Sequence, residues 1–419
     1  MKILHLSTYD TATGAAFAAY RLHQGLQRIN INSQMLVRTK KLVDDKTVVA
    51  PQTILEKGFA KAAGTLDTLP PRFYPQRDRT SFSTQWFPDR TIPRVARINP
   101  DLLNFHWIAD NHLHIETIPK LHQPLVWTLH DMWAFTGGCH YDQNCGRYID
   151  SCGACPQLKS NKNFDLSCWI WQRKYKAWKG VSLTIVAPSR WLAKCASSSS
   201  LFKHLRVEVI PNALDTQKYK PINRQIVRKI LNLPQNKQLI LFGAMNAASD
   251  VRKGFHLLQP ALQRLCQSGR GDRVEIIIVG SSQPENHIDL GFKTHYLGKL
   301  SGDTSLAQVY AAADVFVAPS LQDNLPNTVM EAIACGTPCV AFKIGGMPDM
   351  IEHQKNGYLV QPFEVEDLAK GIAWVLEDRE RHQKLGDRAR EKAEQEFTLE
   401  LQARRYASLY TEILAKRDR

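Results

Sequence analysis

The sequence predicts an α/β fold made of parallel sheets in two halves of similar size. Three observations predict it. Short apolar runs recur along the chain, at Lys2–Leu6, Leu125–Leu129, Leu183–Ala187, Leu239–Phe242, Glu275–Val279, Val315–Ala318 and Cys339–Phe342, with helical stretches between them. Val/Ile/Leu-rich strands of this kind belong to parallel sheets covered on both faces. The length of 419 residues suits two domains. A polar stretch bracketed by prolines, Pro211–Pro221 (PNALDTQKYKP), interrupts the rhythm near the middle. The expected division is residues 1–210 and 211–397, two Rossmann-like domains facing a central cleft, with ligands at the C-terminal ends of their strands.

Composition bounds the function classes. Hydrophobic content of 43% and charged content of 22% are those of a globular protein. No apolar run approaches the roughly 20 residues needed to span a bilayer. The start, Met1-Lys2-Ile3-Leu4-His5-Leu6-Ser7, reads as a first strand and is too short for a secretory signal, so the cytoplasm is the expected location. A net charge of +14 favours anionic partners: nucleotide diphosphates, a lipid-linked diphosphate, an anionic membrane surface or nucleic acid. Arg72, Arg77, Arg79, Arg90, Arg94 and Arg97 lie among Phe73, Tyr74, Trp86 and Phe87. Such interleaving suits a solvated loop first, and after it a membrane surface or stacked bases. With no zinc finger, RNP pattern or basic helix with heptads, nucleic acid is not an expected partner.

Taken in chain order, the first motif is Ser7–Leu22 (STYDTATGAAFAAYRL), which follows the first strand and opens a helix; Gly14 with Ala15 and Ala16 lets backbone approach a ligand. No GxGxxG is present, which argues against a dinucleotide enzyme. Asn104-Phe105-His106-Trp107 and Trp127-Thr128-Leu129-His130-Asp131 each end a strand, where active sites collect, and His130 can donate a hydrogen bond there. Cys139, Cys145, Cys152 and Cys155 are spaced C-x5-C-x6-C-x2-C. They suit a structural zinc site or free thiols, with a redox or disulfide role third. In Gly243–Phe255 (GAMNAASDVRKGF), Lys253 precedes a helix start, an anion-attracting place.

The densest signal is Pro319–Pro338 (PSLQDNLPNTVMEAIACGTP). A strand, Val315–Ala318, leads into a loop bearing Asp323. Pro326 suits a first helical turn, Glu331 lies about a turn and a half into the helix, and Gly336 with Pro338 stops it. Amides at the helix start can hold a diphosphate, while one carboxylate takes ribose hydroxyls and the other takes sugar hydroxyls. In the last segment, Leu399, Tyr406, Leu409, Tyr410 and Ile413 fall near helical spacing and make an amphipathic helix with a packing face.

The Asp323–Pro338 block, with Cys335-Gly336-Thr337-Pro338, resembles the acidic signature of retaining GT-B glycosyltransferases of family 4, and matching pieces run from residue 3 to about residue 360. The Cys-rich insertion is similar to one in a bacterial polysaccharide-type subgroup of that family. There the first acid is usually Glu; here it is Asp323, one methylene shorter. Paired glycines stand where this chain has Gly14 alone, and the family's Arg soon after the strand is replaced by Ala244, Met245 and Asn246. The resemblance implies a nucleoside-diphosphate sugar as donor and a glycan or lipid-linked acceptor. It assigns Lys253, with Arg252 beside it, and the backbone at Asn324, Leu325, Pro326 and Asn327 to the diphosphate. It assigns Glu331 to ribose, Asp323 and His130 to the sugar, and Gly14 to the approach of donor phosphate. It implies no catalytic cofactor, a C-terminal helix (398–419) that crosses back onto the first domain, and work in polysaccharide or cell-surface glycan synthesis at the inner face of the plasma membrane. Two rivals stand beside it: a non-transferring GT-B epimerase or hydrolase, and a non-catalytic basic binding protein.

Overall fold

The computed structural model describes residues 1–243, 250–280, 289–300 and 302–417. The chain divides into two compact units, one of Met1–Asn212 with Leu399–Arg419, the other of Ala213–Thr398.

The first unit is built on seven parallel strands: β1 (Lys2–Tyr9), β2 (Asn32–Thr39), β3 (Val48–Val49), β4 (Leu102–Phe105), β5 (Leu125–Thr128), β6 (Leu183–Ala187) and β7 (Arg206–Val209). Their order is β3-β2-β1-β4-β5-β6-β7, so connections turn outward on either side of the β1/β4 boundary. At that boundary His5 lies opposite Asn104, and Leu6 opposite Phe105. The helix Gly14–Arg28 starts where the Thr13 hydroxyl accepts the Ala16 N–H at 3.3 Å. It buries Ala16, Ala19, Leu22 and Leu26.

The C-terminal helix, Leu399–Arg417, completes this unit's core. Ala403, Tyr406, Leu409 and Tyr410 pack with Leu22, Leu26, Leu102, Val126 and Val186. It crosses the Gly14–Arg28 helix at Gly25, where a Cβ would stand 2.8 Å from the Leu399 carbonyl oxygen. The two tyrosines bring buried hydroxyls, and both find partners. Tyr410 Oη accepts from Asn104 Nδ2 at 2.7 Å, and Tyr406 Oη bonds Thr128 Oγ1 at 2.9 Å.

The second unit has six parallel strands: β8 (Gln238–Gly243), β9 (Val274–Val279), β10 (Thr294–Tyr296), β11 (Val315–Ala318), β12 (Cys339–Phe342) and β13 (Gly357–Val360). Their order, β10-β9-β8-β11-β12-β13, reverses between β8 and β11. Both faces are covered by apolar clusters, one holding Leu239, Leu241, Phe316, Met330 and Ile333, the other Ile240, Phe242, Val317, Leu368 and Ile372. This double cover is why the strands read as unbroken apolar runs. Among the described residues, no helix is long and apolar enough to cross a membrane.

The Tyr410–Asn104 bond supplies a test of the C-terminal helix. Tyr410→Phe leaves the Asn104 amide without this buried partner and should destabilise the protein by about 1–3 kcal/mol. Urea unfolding should show a lower midpoint with an unchanged m-value; an unchanged midpoint would show that the bond contributes nothing.

Candidate active site

In the second unit the reversal of strand order sets the C-terminal ends of β8 and β11 side by side, the place where open α/β sheets take ligands. The loop after β8 returns through Asp250 and a short turn, Val251–Lys253, and ends at Gly254. Gly254 has φ of +71°, and a Cβ on it would stand 1.8 Å from the Pro319 carbonyl oxygen. A glycine is therefore required for this turn to lie on the loop after β11. The contact is secured by the Leu321 N–H, which donates to the Arg252 carbonyl at 2.8 Å. From the other side, Gly345 has φ of +50°, and a Cβ there would stand 1.9 Å from the Asp323 carbonyl oxygen. The next amide, Gly346, donates to that oxygen at 3.2 Å.

Asp323 is thus held at both backbone and side chain, and it is buried. Lys253 Nζ donates to its Oδ2 at 2.8 Å, and Arg252 Nη1 reaches the same oxygen at 3.5 Å. The Asn324 N–H donates to Oδ1 at 3.0 Å. Burial alone would raise the pKa of this carboxyl; the charges of Lys253 and Arg252 outweigh it and hold Asp323 below the usual carboxylate range. Arg252 is also anchored by Gln322 O at 3.0 Å and by Asp250 Oδ2 at 3.2 Å.

The helix Asn327–Ala334 begins one residue later than expected, with Pro326 as its N-cap in extended backbone (ψ 124°). Its first intrahelical bond runs from Val329 N–H to Pro326 O at 3.1 Å. The four positions assigned to diphosphate differ in what they can offer. Pro326 has no N–H, that of Asn324 is given to Asp323, and those of Val329 and Met330 go to Pro326 O, so the anion-attracting end lies at Asn327 and Thr328, with Leu325 just before it. Glu331 is buried, and Tyr310 Oη donates to its Oε2 at 3.1 Å. Tyr310 was not singled out from sequence; nothing but its position in an apolar helix, Asp303–Ala312, marks it there. Ala244, Met245, Asn246 and Ser281 lie outside the described residues.

In the first unit, Gly14 is the first residue of its helix, past the end of β1. His130 follows β5 and belongs to a chain of three imidazoles. His5 Nδ1 meets His106 Nε2 at 2.9 Å, and His106 Nδ1 meets His130 Nε2 at 3.0 Å. Burial lowers the pKa of all three, His130 to about 4 despite the opposing charge of Asp131, so the rings are neutral at pH 7. Each neutral ring has one N–H. His5 Nε2 is buried without a partner, and an orphaned lone pair is better tolerated than an orphaned N–H. The protons are therefore assigned to Nδ1 throughout, each ring donating to the next, so that His130 carries an Nδ1–H donor while its Nε2 accepts from His106. His5 escaped the sequence reading because a histidine inside an apolar strand carries no pattern.

Asp131 faces elsewhere. Its Oδ2 accepts from Trp107 Nε1 at 2.8 Å and bonds His140 Nδ1 at 2.6 Å, while Oδ1 accepts the Trp133 N–H at 2.9 Å. Burial would raise its pKa; His140 and these donors prevail and lower it.

The cysteine-rich loop is braced by side chains that reach backbone groups. None of the nine cysteines is paired in a disulfide. Among the described residues, no group of three or more His, Cys, Asp or Glu side chains is arranged to hold a metal ion, so the expected zinc at Cys139, Cys145, Cys152 and Cys155 finds no support there. Burial raises all four thiol pKa values, that of Cys152 to about 12. Asp165 instead accepts the Cys155 and Cys168 N–H groups at 2.7 and 3.1 Å. Lys174, wholly buried, donates to the carbonyls of Trp133 and Thr136 and stands 3.6 Å from the Trp133 ring centroid.

A family model described as Glycosyltransferase Family 4 matches residues 12–218, and one described as Glycosyl transferases group 1 matches residues 223–392. The N-acetyl-alpha-D-glucosaminyl L-malate synthase of Bacillus anthracis is 24% identical over 213 residues, 50% of this chain and 54% of that protein. The chain spans about half the length of the curated relatives it matches. Sucrose-phosphate synthase from Thermosynechococcus elongatus superposes with a TM-score of 0.72 at 18% identity, over 99% of this chain and 100% of that one. Anabaena Alr3699/HepE, solved in complex with UDP-glucose, superposes with a TM-score of 0.65 at 19% identity, over 98% and 100%. These likenesses establish the fold.

Two outcomes follow. The buried histidines bind fewer protons folded than unfolded once pH falls below about 6.5, so their contribution to stability is complete above that pH and is lost down to about 4, where His130 itself protonates. The free energy of unfolding, from urea titrations, should fall steadily between pH 6.5 and 4, with a slope of up to about 1.4 kcal/mol per pH unit for each histidine involved; His106→Leu should flatten that slope, and an equal slope in the variant would refute the assignment. Gly254→Ala should destabilise the second unit by about 2 kcal/mol or more and weaken anion binding, measured by calorimetry and denaturant midpoint.

Proposed function

Because the chain belongs to the family 4 glycosyltransferases of the GT-B fold, we propose that it is a retaining hexosyltransferase. It moves a sugar from a nucleoside-diphosphate sugar to a glycan or lipid-linked acceptor, in polysaccharide or cell-surface glycan synthesis at the cytoplasmic face of a membrane. The observation that carries the donor reading is the pair of buried acids on either side of one helix start, Asp323 held by Lys253 and Glu331 held by Tyr310. A nucleoside-diphosphate sugar is an anion between two polyols. Cations and helix amides suit its diphosphate, and carboxylates suit the hydroxyls of ribose and sugar.

In the proposed reaction the bond from the sugar's C1 to the diphosphate oxygen breaks as a bond from C1 to the acceptor oxygen forms on the same face. The acceptor's proton passes to the leaving diphosphate. Lys253, Arg252 and the helix start at Asn327 and Thr328 stabilise charge on that leaving group, which is where such groups contribute most to rate. Asp323, kept ionised by its cations, accepts hydrogen bonds from the sugar and supplies no proton. His130 donates one to the substrate through Nδ1 and is not a base. Glu331 takes the ribose hydroxyls. The UDP-glucose bound by Anabaena Alr3699/HepE makes UDP-sugars the first donors to try.

Slow nucleotide release from UDP-, GDP- and ADP-sugars without acceptor should single out one donor in the wild type. Lys253→Ala should lower kcat/KM for it by about 10²–10³. Glu331→Ala should weaken donor binding by about tenfold or more. A folded wild-type protein that binds none of these donors would overturn the reading.

A further inference from the structure

A cavity of about 900 Å³ opens on the first unit beside the ends of β1 and β2, against the helix Ile54–Asp67. Five cations line it, Arg38, Lys40, Lys41, Lys57 and Lys61, with one carboxylate, Asp110. That carboxylate is already engaged. Arg38 Nη2 stands 3.6 Å from its Oδ2, and the Tyr9 hydroxyl donates to the same oxygen at 2.9 Å. Arg38 is fixed in turn by the Tyr9 hydroxyl at 3.1 Å and by the Asp110 carbonyl. The helix passes this guanidinium at Gly64, where a Cβ would stand 2.6 Å from Nη1, so the arginine is built into the wall.

The lysines are arranged differently. Lys40 Nζ donates to the Asp45 carbonyl at 2.6 Å. Lys41, Lys57 and Lys61 have no carboxylate within ion-pair distance among the described residues, whereas Arg38 in the same wall has Asp110. Lys57 and Lys61 are four positions apart on one helix, a spacing at which like charges repel. The nearest helical acid, Glu56, is committed to the capping box with Thr53 and to Arg94 at 3.3 Å. Val43 in the lining is 86% accessible, and Ile54 and Leu55, at the start of the helix that carries Lys57 and Lys61, are 89% and 82% accessible. A cavity of headgroup size, with several unneutralised cations and bare aliphatic side chains beside them, has the chemistry of a receptor for a phosphorylated molecule.

We propose that this cavity binds the phosphate or diphosphate group of the acceptor substrate. Arg38 provides the fixed planar donor, and Lys41, Lys57 and Lys61 provide mobile ammonium groups. The inference rests on the transferase reading for the word acceptor; occupancy of the cavity by a phosphorylated group is tested apart from it.

The test is lysine acylation of the full chain, read by mass spectrometry, with and without inorganic pyrophosphate, and in parallel with farnesyl diphosphate in neutral detergent. Labelling of Lys41, Lys57 and Lys61 should fall at least about threefold, and Lys57→Gln/Lys61→Gln should weaken binding at low salt by about tenfold. Protection by pyrophosphate and by the isoprenoid compound alike indicates a soluble phosphorylated acceptor; protection that requires the isoprenoid chain indicates a lipid-linked one. Unchanged labelling of these three lysines with both probes, or equal affinity in the double variant, overturns the proposal, even if Lys253 is protected. UDP titrated into the same wild-type protein reads the donor site separately, so a failure there leaves the cavity result standing.

Discussion

The approach of two backbones in the second unit is the constraint on which its site depends. The turn at Arg252–Gly254 lies against the loop after β11 closely enough that no side chain fits at Gly254, and Gly345 closes on Asp323 from the opposite side. Together these contacts fix where Asp323 points. The cations follow from them: Arg252 and Lys253 are the residues of that turn, so docking the turn delivers both charges to the carboxylate. An ion pair assembled from two loops would ordinarily be loose and weak, since exposed pairs contribute little. Here the backbone contacts meet most of the ordering cost in advance, and the carboxylate is buried. The pair is thereby a positioned group and not a surface accident.

The first unit solves a similar problem with neutral groups. Its histidine line runs from His5 within β1 to His106 and His130, the residues that follow β4 and β5. His5, His106 and His130 form a line of rings that stay uncharged because they are buried, and each hydrogen bond sets the proton of the next. Asp131 lies one residue from His130 but is taken by Trp107 and His140. The two neighbours therefore serve separate networks. The C-terminal helix extends the same pattern by placing Tyr406 and Tyr410 on Thr128 and Asn104, so buried polar side chains of the strands are satisfied by residues some three hundred positions later.

How much of this was legible in the sequence depended on whether a residue's role is local. The strands at Val315–Ala318 and Cys339–Phe342 and the helix between them are encoded by neighbours: apolar run, proline, glycine stop. Those elements stand where they were expected, with Pro326 displaced only from first turn to cap. The spacing of Asp323 and Glu331 was equally plain. What could not be read were partners far apart in the chain. Nothing near Glu331 names Tyr310, nothing near His106 names His5, and nothing in the polar run after Thr39 shows that Lys41 and Lys57 face one cavity. The cysteines are a different case. Their clustering suggested a shared metal, yet the loop's order is carried by Asp165 and Lys174 reaching backbone groups, and side-chain-to-backbone bonds leave no spacing signature.

The two acids of the second unit are unequal, and that inequality bears on mechanism. Glu331 meets a phenol, a neutral donor that a ribose hydroxyl can join or replace at little electrostatic cost. Asp323 meets Lys253, and the ammonium that neutralises it is the same group that the proposed reading gives to the diphosphate. Lys253 cannot lie fully on both. As a donor's diphosphate draws the ammonium, Asp323 keeps Arg252 and the Asn324 N–H but loses its shortest contact, and a buried anion short of one donor has a strong preference for hydroxyls. On this reading, sugar hydroxyls are bound most tightly once the diphosphate is in place, so recognition of the two ends of the donor is coupled through one lysine. A carboxylate with that duty accepts hydrogen bonds throughout and is poorly suited to protonate a leaving group, which is why the leaving diphosphate is left to take the acceptor's proton.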